Sequence, residues 1–200
     1  PPELADLPDR VIDELSALVI TNLATDNDIP ANTLTYRLAA APAGMLLDPG
    51  TGIISWTPGE DQGPSTNLVV VIVNDLNPWA PTNQQLSATN QFRIVVREVN
   101  QPPSLVVPTT QTVTALTTLT VTNIATDPDL PPQRLVFGLV AAPANVKLDT
   151  SAGVLTWTPT AAQSQTTNII VLKVTDDGTP SLSATNSFTV VVLRAAVQSP

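Results

Sequence analysis

The sequence predicts an all-β protein made of two tandem antiparallel β-sandwich domains. Two observations carry this prediction: the chain contains a long internal repeat, and within it short runs of alternating apolar and polar residues are separated by Pro, Gly, Asn and Asp. Short alternating strands between such turn residues are typical of antiparallel sheets packed face to face. No window shows the apolar spacing of an amphipathic helix. The sequence therefore predicts sheets with little or no helix.

The two halves of the chain repeat one another. At an offset of 101 residues, as from Trp56 to Trp157, three stretches of the first copy return in the second: 21–28 as 122–129, 40–43 as 141–144, and 52–58 as 153–159. Near the end of each copy the offset is 96, as from Phe92 to Phe188. The first copy therefore carries five extra residues, which lie between Asp75 and Leu86.

The repeat also predicts where the domains divide. Each copy has about 100 residues, which is the usual size of a sandwich domain. Pro102 and Pro103 repeat the opening Pro1 and Pro2, and paired prolines block strand pairing and stiffen a junction. We therefore expect two domains, residues 1–101 and 102–200. The ending Gln198-Ser199-Pro200 echoes the junction and predicts that another repeat follows.

Side-chain alternation identifies strands and their buried faces. Phe92, Ile94 and Val96 alternate with polar residues, and Lys173 sets the outward face of the matching run in the second copy. The inward residues predicted for the second copy are Ile170, Leu172, Val174, Phe188, Val190 and Val192. Strands of the first copy are further expected at 16–24, 34–39 and 52–56.

Composition excludes several functions. The net charge of −9 and the pI near 4.1 oppose binding to phosphate backbones, so we expect no nucleic-acid partner. The sequence contains no His and no Cys, so a familiar nucleophile–base pair cannot be built and we expect no catalytic residues. No apolar run approaches the roughly 20 residues that span a bilayer as a helix, so we expect no membrane insertion.

The repeat resembles the cadherin-like and Putative Ig domain families of bacterial surface proteins, related to the dystroglycan-type cadherin repeat. The residues that carry the resemblance are Ala-Thr-Asp-x-Asp after the second strand, Gly-x-x-x-Trp-Thr-Pro, and Ser-Ala-Thr-Asn-x-Phe in the closing strand. The resemblance covers essentially the whole chain and implies immunoglobulin-like sandwiches. It also implies an extracellular, bacterial location in a long surface array, and the start at Pro1 suggests a piece of a longer protein.

The resemblance further implies Ca²⁺ at the junction between the two domains, because cadherin-type repeats collect oxygen ligands there. Mapped onto this sequence, the ligands are Glu14, Asp61 with Glu60 adjacent, Glu98, Asn100, Asp127, Asp129 and Asp176. The opposite pole of the second copy lacks three of them, because Ala115, Ala162 and Arg194 stand at the places of Glu14, Asp61 and Glu98. Asp26, Asp28 and Asp75 could complete another site only with a preceding repeat. Asp-x-Asp after a strand is also ordinary turn chemistry, so a site without metal stays open.

Three tryptophans divide into two kinds. Trp56 and Trp157 occupy equivalent places after apolar strands, where burial in the core is expected. Trp79 has no counterpart and lies in the inserted loop, close to the amide-rich run 82–85. An exposed Trp79 could stack on a sugar or anchor a protein contact, although it could equally fold back over its own sheet.

Three functions follow as hypotheses. The first is a structural or adhesive repeat that acts as a spacer, with neighbouring repeats of the same parent protein as its partners. The second is a self-assembling subunit of an extracellular filament or layer, because sheet edges can accept a strand from another copy and the residues before Asp9 have no certain partner. The third is a carbohydrate-binding module that uses Trp79 to contact surface glycans.

Overall fold

The computed structural model describes residues 1–29, 31–82 and 84–195. The chain divides into two compact units, Pro1–Val99 and Asn100–Pro200. This division falls two residues before the predicted boundary, and independent folding of each domain stays a prediction. The expectations that involve Asn83 and residues 198–200 lie outside the described residues.

Nine strands form within the described part of the first unit. They are β1 (Glu3–Leu4), β2 (Arg10–Asp13), β3 (Leu18–Thr21), β4 (Ala24–Thr25), β5 (Thr33–Ala40), β6 (Leu46–Leu47), β7 (Ile53–Trp56), β8 (Ser65–Leu76) and β9 (Ser87–Arg97). A short 3-10 turn, Glu60–Gln62, separates β7 from β8.

The second unit repeats this order. Its strands are β10 (Ser104–Val106), β11 (Gln111–Thr114), β12 (Leu119–Thr122), β13 (Ile124–Thr126), β14 (Val136–Ala141), β15 (Lys147–Leu148), β16 (Val154–Trp157), β17 (Thr167–Thr175) and β18 (Ser183–Leu193). The equivalent 3-10 turn is Ala161–Gln163. These two turns are the helical segments that the described residues contain, which agrees with the predicted all-β class.

Both units have the same sheets. A four-stranded sheet has the order β2-β9-β8-β5 in the first unit and β11-β18-β17-β14 in the second. A three-stranded sheet has the order β3-β7-β6 or β12-β16-β15, and a two-stranded pair, β1-β4 or β10-β13, completes each unit. The predicted tandem sandwich fold is confirmed.

The cores form where the alternation predicts them. Ile94 and Val96 of β9 are buried with Phe92, and the corresponding residues of β17 and β18 are buried in the second unit. Trp56 and Trp157 also belong to the two cores. Period-two alternation gives this result because successive side chains of a strand point to opposite faces of the sheet.

One strand pairing in each unit differs from the antiparallel expectation. β2 pairs with β9 in parallel, with Val11 opposite Val95, and β11 pairs with β18 in the same way. The chain between these strands is long, and a parallel pair requires such a connection. The pairing brings the start and the end of each unit together, so that Glu14 lies next to residues 97–99.

Candidate metal-binding poles

Three glutamates converge at one pole of the first unit, and we call them the glutamate cluster. Glu14 directly follows β2, Glu60 opens the 3-10 turn and Glu98 directly follows β9. One carboxylate oxygen from each lies within 4.8 Å of the others. Carboxylates this close repel one another unless a proton or a cation lies between them.

Glu14 is the most buried member, with 2% of its surface exposed. Its backbone N–H donates to the carbonyl of Arg97 at 3.0 Å, and its Oε1 accepts from the N–H of Val99 at 3.0 Å. Its Oε2 is buried and has no hydrogen-bond partner among the described residues. An unsatisfied buried carboxylate oxygen is costly, and a bound cation would satisfy it.

The backbone beside Glu14 leaves room for this carboxylate. A Cβ at Gly63 would overlap Oε2 of Glu14 and lie 3.3 Å from the carbonyl oxygen of Arg97. Glycine is therefore required here because of the close approach of the carboxylate.

Glu60, the neighbour of the predicted ligand Asp61, is the residue that joins the cluster. Asp61 is exposed and does not belong to the group. Consecutive side chains of a 3-10 turn point about one third of a turn apart, so only one of the two can face Glu14. The sequence placed both residues at the pole, and the local geometry distinguished them.

The second unit has three aspartates whose charges interact, Asp127, Asp129 and Asp176, and we call them the aspartate cluster. Asp127 directly follows β13 and Asp176 directly follows β17. The N–H of Asp129 donates to Oδ1 of Asp127 at 3.0 Å, and the N–H of Leu182 donates to Oδ1 of Asp176 at 2.8 Å. The Oδ2 atoms of Asp127 and Asp176 are buried without a hydrogen-bond partner among the described residues.

Asn100 and Gln133 complete this pole. The N–H of Gln101 donates to both carboxylate oxygens of Asp129 at 3.1 Å, and Nε2 of Gln133 donates to Oδ2 of Asp129 at 2.6 Å and to Oδ1 of Asn100. Nδ2 of Asn100 donates to the carbonyl of Pro180 at 2.9 Å. Gln133 was missed by the sequence reasoning, and its only signal was a polar residue four positions after Asp129.

The carboxyl of Asp127 is electrostatically strained. Burial raises its pKa above the ordinary value, and the negative charges of Asp129 and Asp176 raise it further. The hydrogen bond from the N–H of Asp129 acts in the opposite direction. A bound cation would remove this repulsion.

The first unit has a matching aspartate group at the equivalent place. Asp26, Asp28 and Asp75 have carboxylate oxygens within 4.8 Å of one another, and Asp75 is buried. The N–H of Asp28 donates to Oδ1 of Asp26 at 2.8 Å, and that of Leu86 donates to Oδ1 of Asp75 at 2.6 Å. The same Asx-turn geometry therefore occurs in both copies, as expected from ordinary turn chemistry.

The donor chemistry fits a hard cation. The groups at these poles are carboxylates and amides, and the sequence contains no His or Cys, so every ligand they offer is an oxygen. Ca²⁺ prefers six to eight oxygen ligands. The buried oxygens of Glu14 and Asp176 that have no hydrogen-bond partner among the described residues are the structural evidence for the fit.

Trp79 is solvent-exposed, with 77% of its surface accessible. The backbone N–H of Trp79 donates to Oδ1 of Asn77 at 3.2 Å, and Nδ2 of Asn77 donates to Oδ2 of Asp28 at 3.2 Å. The inserted loop is therefore tied to the sandwich through Asn77. The indole itself does not fold back onto the sheet.

Trp56 and Trp157 are buried in both units. The Nε1–H of Trp56 donates to the carbonyl of Ala43 at 3.1 Å, and that of Trp157 donates to the carbonyl of Ala144 at 3.1 Å. The expected core role of these two residues is confirmed.

The comparisons with known proteins agree with this fold. Residues 5–97 match the family model described as Putative Ig domain. No curated protein matches the chain. Many solved structures match it, and the predicted resemblance to cadherin-like and Ig-like repeats is confirmed.

Three of these structures illustrate the likeness. Domains EC22-24 of mouse cadherin-23 match with a TM-score of 0.56 and 21% identity, over 97% of this chain and 64% of that one. The structure named PcdhgB3 EC1-4 matches with a TM-score of 0.63 and 18% identity, over 98% of this chain and 50% of that one. Protocadherin Gamma B2 extracellular cadherin domains 3-6 match with a TM-score of 0.54 and 15% identity, over 97% and 52%. The chain thus spans less than two thirds of the length of each.

Proposed function

We propose that this chain is a structural and adhesive repeat module of a secreted or cell-surface protein, which acts as a spacer stiffened by Ca²⁺. The observation that carries the proposal is Glu14, a buried glutamate whose Oε2 has no partner among the described residues and lies in a cluster of oxygen ligands. A buried carboxylate without a compensating partner destabilises the folded domain. A cation that binds to the folded domain would compensate this charge.

The tandem organisation supports the spacer role. Each unit has its own hydrophobic core, so repeats of this kind add length without depending on one another for their interiors. The structurally similar proteins include one whose name describes extracellular cadherin domains, which supports an extracellular location. None of the described helical segments is long enough to cross a membrane.

The proposed ligands come from both units. From the first unit, Glu14, Glu60 and Glu98 would hold Ca²⁺, with the exposed Asp61 beside them; from the second unit, Asn100, Asp127, Asp129 and Asp176 would do so. The ion would supply positive charge that neutralises both clusters and connects the two repeats. A stiffened junction would hold a binding region away from the cell surface.

Calorimetry tests the metal proposal directly. We expect Ca²⁺ titrated into the full chain to release saturable heat, and we expect the double variant Asp127→Ala plus Asp129→Ala to lose it. The matched control is Glu3→Gln plus Asp6→Asn, two exposed acidic residues outside the carboxylate clusters, which should leave the heat unchanged. Absence of heat from the parent chain would end the metal proposal.

Glu14→Gln separates metal binding from folding. The amide oxygen of glutamine can still accept from Val99, while the repulsion with Glu60 and Glu98 is removed. Without Ca²⁺ we expect an unchanged or higher melting temperature, and with Ca²⁺ we expect loss of the metal-dependent increase. Glu3→Gln, at an exposed site, is the control and should behave as the parent. A full increase with Ca²⁺ in Glu14→Gln would argue that the glutamate cluster is not a ligand.

Glycan binding through Trp79 is a second candidate function, because this indole is 77% exposed on an anchored loop. The apolar faces of sugar rings stack on aromatic side chains such as this indole. Aromatic residues at interfaces often contribute a large share of the binding free energy. On a glycan array, we expect Trp79→Ala to lose signal and Trp79→Phe to keep part of it. Equal signals from the parent and Trp79→Ala would remove this candidate.

The filament hypothesis has less support. It rested in part on the residues before Asp9 having no certain strand partner, but β1 pairs with β4 and Oδ1 of Asp9 accepts from the N–H of Arg93 at 2.7 Å. Negative-stain microscopy distinguishes the two functions, since discrete monomers favour the spacer and ordered polymers favour the filament. We propose a non-catalytic module, because the sequence has no His or Cys from which a familiar nucleophile–base pair could be built.

A further inference from the structure

The second unit has a pocket at the place that the glutamate cluster occupies in the first unit. The pocket has a volume of about 320 Å³ and is lined by Ala115, Ala161, Ser164, Arg194 and Ala195. These residues stand, in order, at the places of Glu14, Glu60, Gly63, Glu98 and Val99 in the repeat. Two glutamates have become alanines and the third has become an arginine.

The backbone around the two places is the same. The N–H of Glu14 donates to the carbonyl of Arg97 at 3.0 Å, and the N–H of Ala115 donates to that of Leu193 at 2.9 Å. The following residue of each unit, Leu15 or Leu116, donates its N–H to a proline carbonyl at 2.8 Å. The pocket is therefore the space that the Glu14 side chain fills in the first unit.

The hydrogen-bond donor that serves this carboxylate is retained. In the first unit the N–H of Val99 donates to Oε1 of Glu14 at 3.0 Å. Ala195 stands at the place of Val99 and lines the pocket. Because residue 115 is alanine and not glutamate, it has no carboxylate that could accept from the N–H of Ala195. Arg194 adds a positive charge, and the described residues form no ion pair with it.

Ser164 shows that the space has been adapted. A Cβ at Gly63 would overlap Oε2 of Glu14, so a serine is tolerated at the matching place only because residue 115 is alanine. The Ser164 side chain is half-buried and lines the pocket. Its hydroxyl is a third donor at the same place.

We propose that this pocket of the second unit binds a carboxylate group from another molecule, with the Ala195 N–H, the Ser164 hydroxyl and the Arg194 guanidinium as donors. The ligand takes the position that the Glu14 carboxylate holds in the first unit. Arginine suits this role because its planar donors match a carboxylate. In this proposal the equivalent poles of the two copies bind ligands of opposite charge: the glutamate cluster of the first unit binds a cation, and the pocket of the second unit binds an anion. This proposal does not depend on metal binding.

Nuclear magnetic resonance of the ¹⁵N-labelled full chain tests the site, with sodium propionate as the probe at constant ionic strength. We expect saturable shifts of the Ala195 and Ser164 amides with a dissociation constant of about 1–10 mM, as is usual for a ligand of few atoms. The Val99 amide should not respond, because Glu14 already occupies its site. Sodium phosphate should give a weaker response because its shape differs.

Two variants make the result specific. Arg194→Gln should weaken propionate binding at least about tenfold, whereas Arg134→Gln, at another exposed arginine of the same unit, should leave it unchanged. Ala115→Glu combined with Ser164→Gly rebuilds the arrangement of the first unit, so its own carboxylate should fill the pocket and abolish binding. An unsaturable response in the parent, or equal binding in Arg194→Gln, would overturn the proposal.

The source of the carboxylate is distinguished with a second probe, N-acetylglutamate α-amide. Tighter binding of this probe than of propionate supports a glutamate side chain carried by a partner protein. Equal binding supports a site for the free carboxylate. Loss of Ca²⁺ binding elsewhere in the chain would leave both measurements unaffected, so the two proposals can fail separately.

Discussion

The two copies share their strand order and a core hydrogen bond, but they differ in charge at one pole. The same core hydrogen bond runs from Nδ2 of Asn22 to the carbonyl of Gly52 at 2.9 Å and from Nδ2 of Asn123 to that of Gly153 at 2.8 Å. At the pole, however, the glutamate cluster of the first unit is replaced in the second by a pocket that contains Arg194.

This difference teaches which parts of the repeat are free to change. In the packed interiors most exchanges between the copies are apolar and similar in size, such as Ile20 to Val121 and Ile54 to Leu155, because a dense core tolerates such exchanges best. The poles are made of loops and strand ends, where a substitution affects few neighbours. One fold can therefore carry three glutamates at a pole in one copy and a pocket lined by an arginine at the equivalent pole of the next.

The largest expected effect tests whether the two interiors are equivalent. Trp56→Ala and Trp157→Ala each remove a buried indole and its hydrogen bond to a carbonyl. We expect each to lower the free energy of unfolding by about 3–5 kcal/mol, measured by urea denaturation of the full chain. Effects that differ by more than about 2 kcal/mol would show that the two cores are not equivalent.

A smaller effect tests the contrast between the poles. Gly63→Ala places a Cβ against Oε2 of Glu14 and the backbone of Arg97, so we expect destabilisation of about 1–3 kcal/mol together with weaker Ca²⁺ binding. Ser164→Ala, at the equivalent place of the second unit, removes only a hydroxyl and should change stability by less than about 0.5 kcal/mol. Urea denaturation and calorimetry of both variants measure this contrast, and equal losses of stability would contradict it.

The smallest effect concerns a turn that the copies share. Oδ1 of Asp48 accepts from the hydroxyl and N–H of Thr51, and Oδ1 of Asp149 accepts from the N–H of Ala152 and from Ser151. The Thr51 hydroxyl does most to lower the pKa of Asp48, and the Ala152 N–H does most to lower that of Asp149.

Because both pKa values are lower in the folded chain, the stabilisation is present above the ordinary value of 3.8 and is lost as the pH falls through the folded pKa. We therefore expect Asp48→Ala and Asp149→Ala to lower the melting temperature slightly at neutral pH and to match the parent in strong acid. A deficit that persists unchanged in acid would show that the charge is not responsible.

Much of the fold could be predicted from the sequence. The alternation of Phe92, Ile94 and Val96 gave the buried face of β9 because strand geometry has a period of two residues. The offset between Trp56 and Trp157 gave the duplication. The parallel pairing of β2 with β9 was not predicted, because nothing local distinguishes a parallel from an antiparallel neighbour.

The candidate sites were predicted less completely. Glu14 and Asp176 were named in advance, but the inclusion of Glu60 rather than Asp61 depends on the direction of side chains in one 3-10 turn. Gln133 contacts Asp129 and Asn100 through a loop conformation that its sequence does not specify. The substitutions at Ala115 and Arg194 were visible, but not the pocket they leave.

By itself the sequence determined the duplication, the all-β class, the inward faces of the strands and the acidic, cysteine-free chemistry, because each of these follows from local periodicity or composition. Only the tertiary structure decided which oxygens are buried without a partner and where a deleted side chain leaves a pocket. The reason is that burial and contact depend on residues far apart in the chain, such as Glu14 and Glu98, which come together only when the first and last strands of a unit pair.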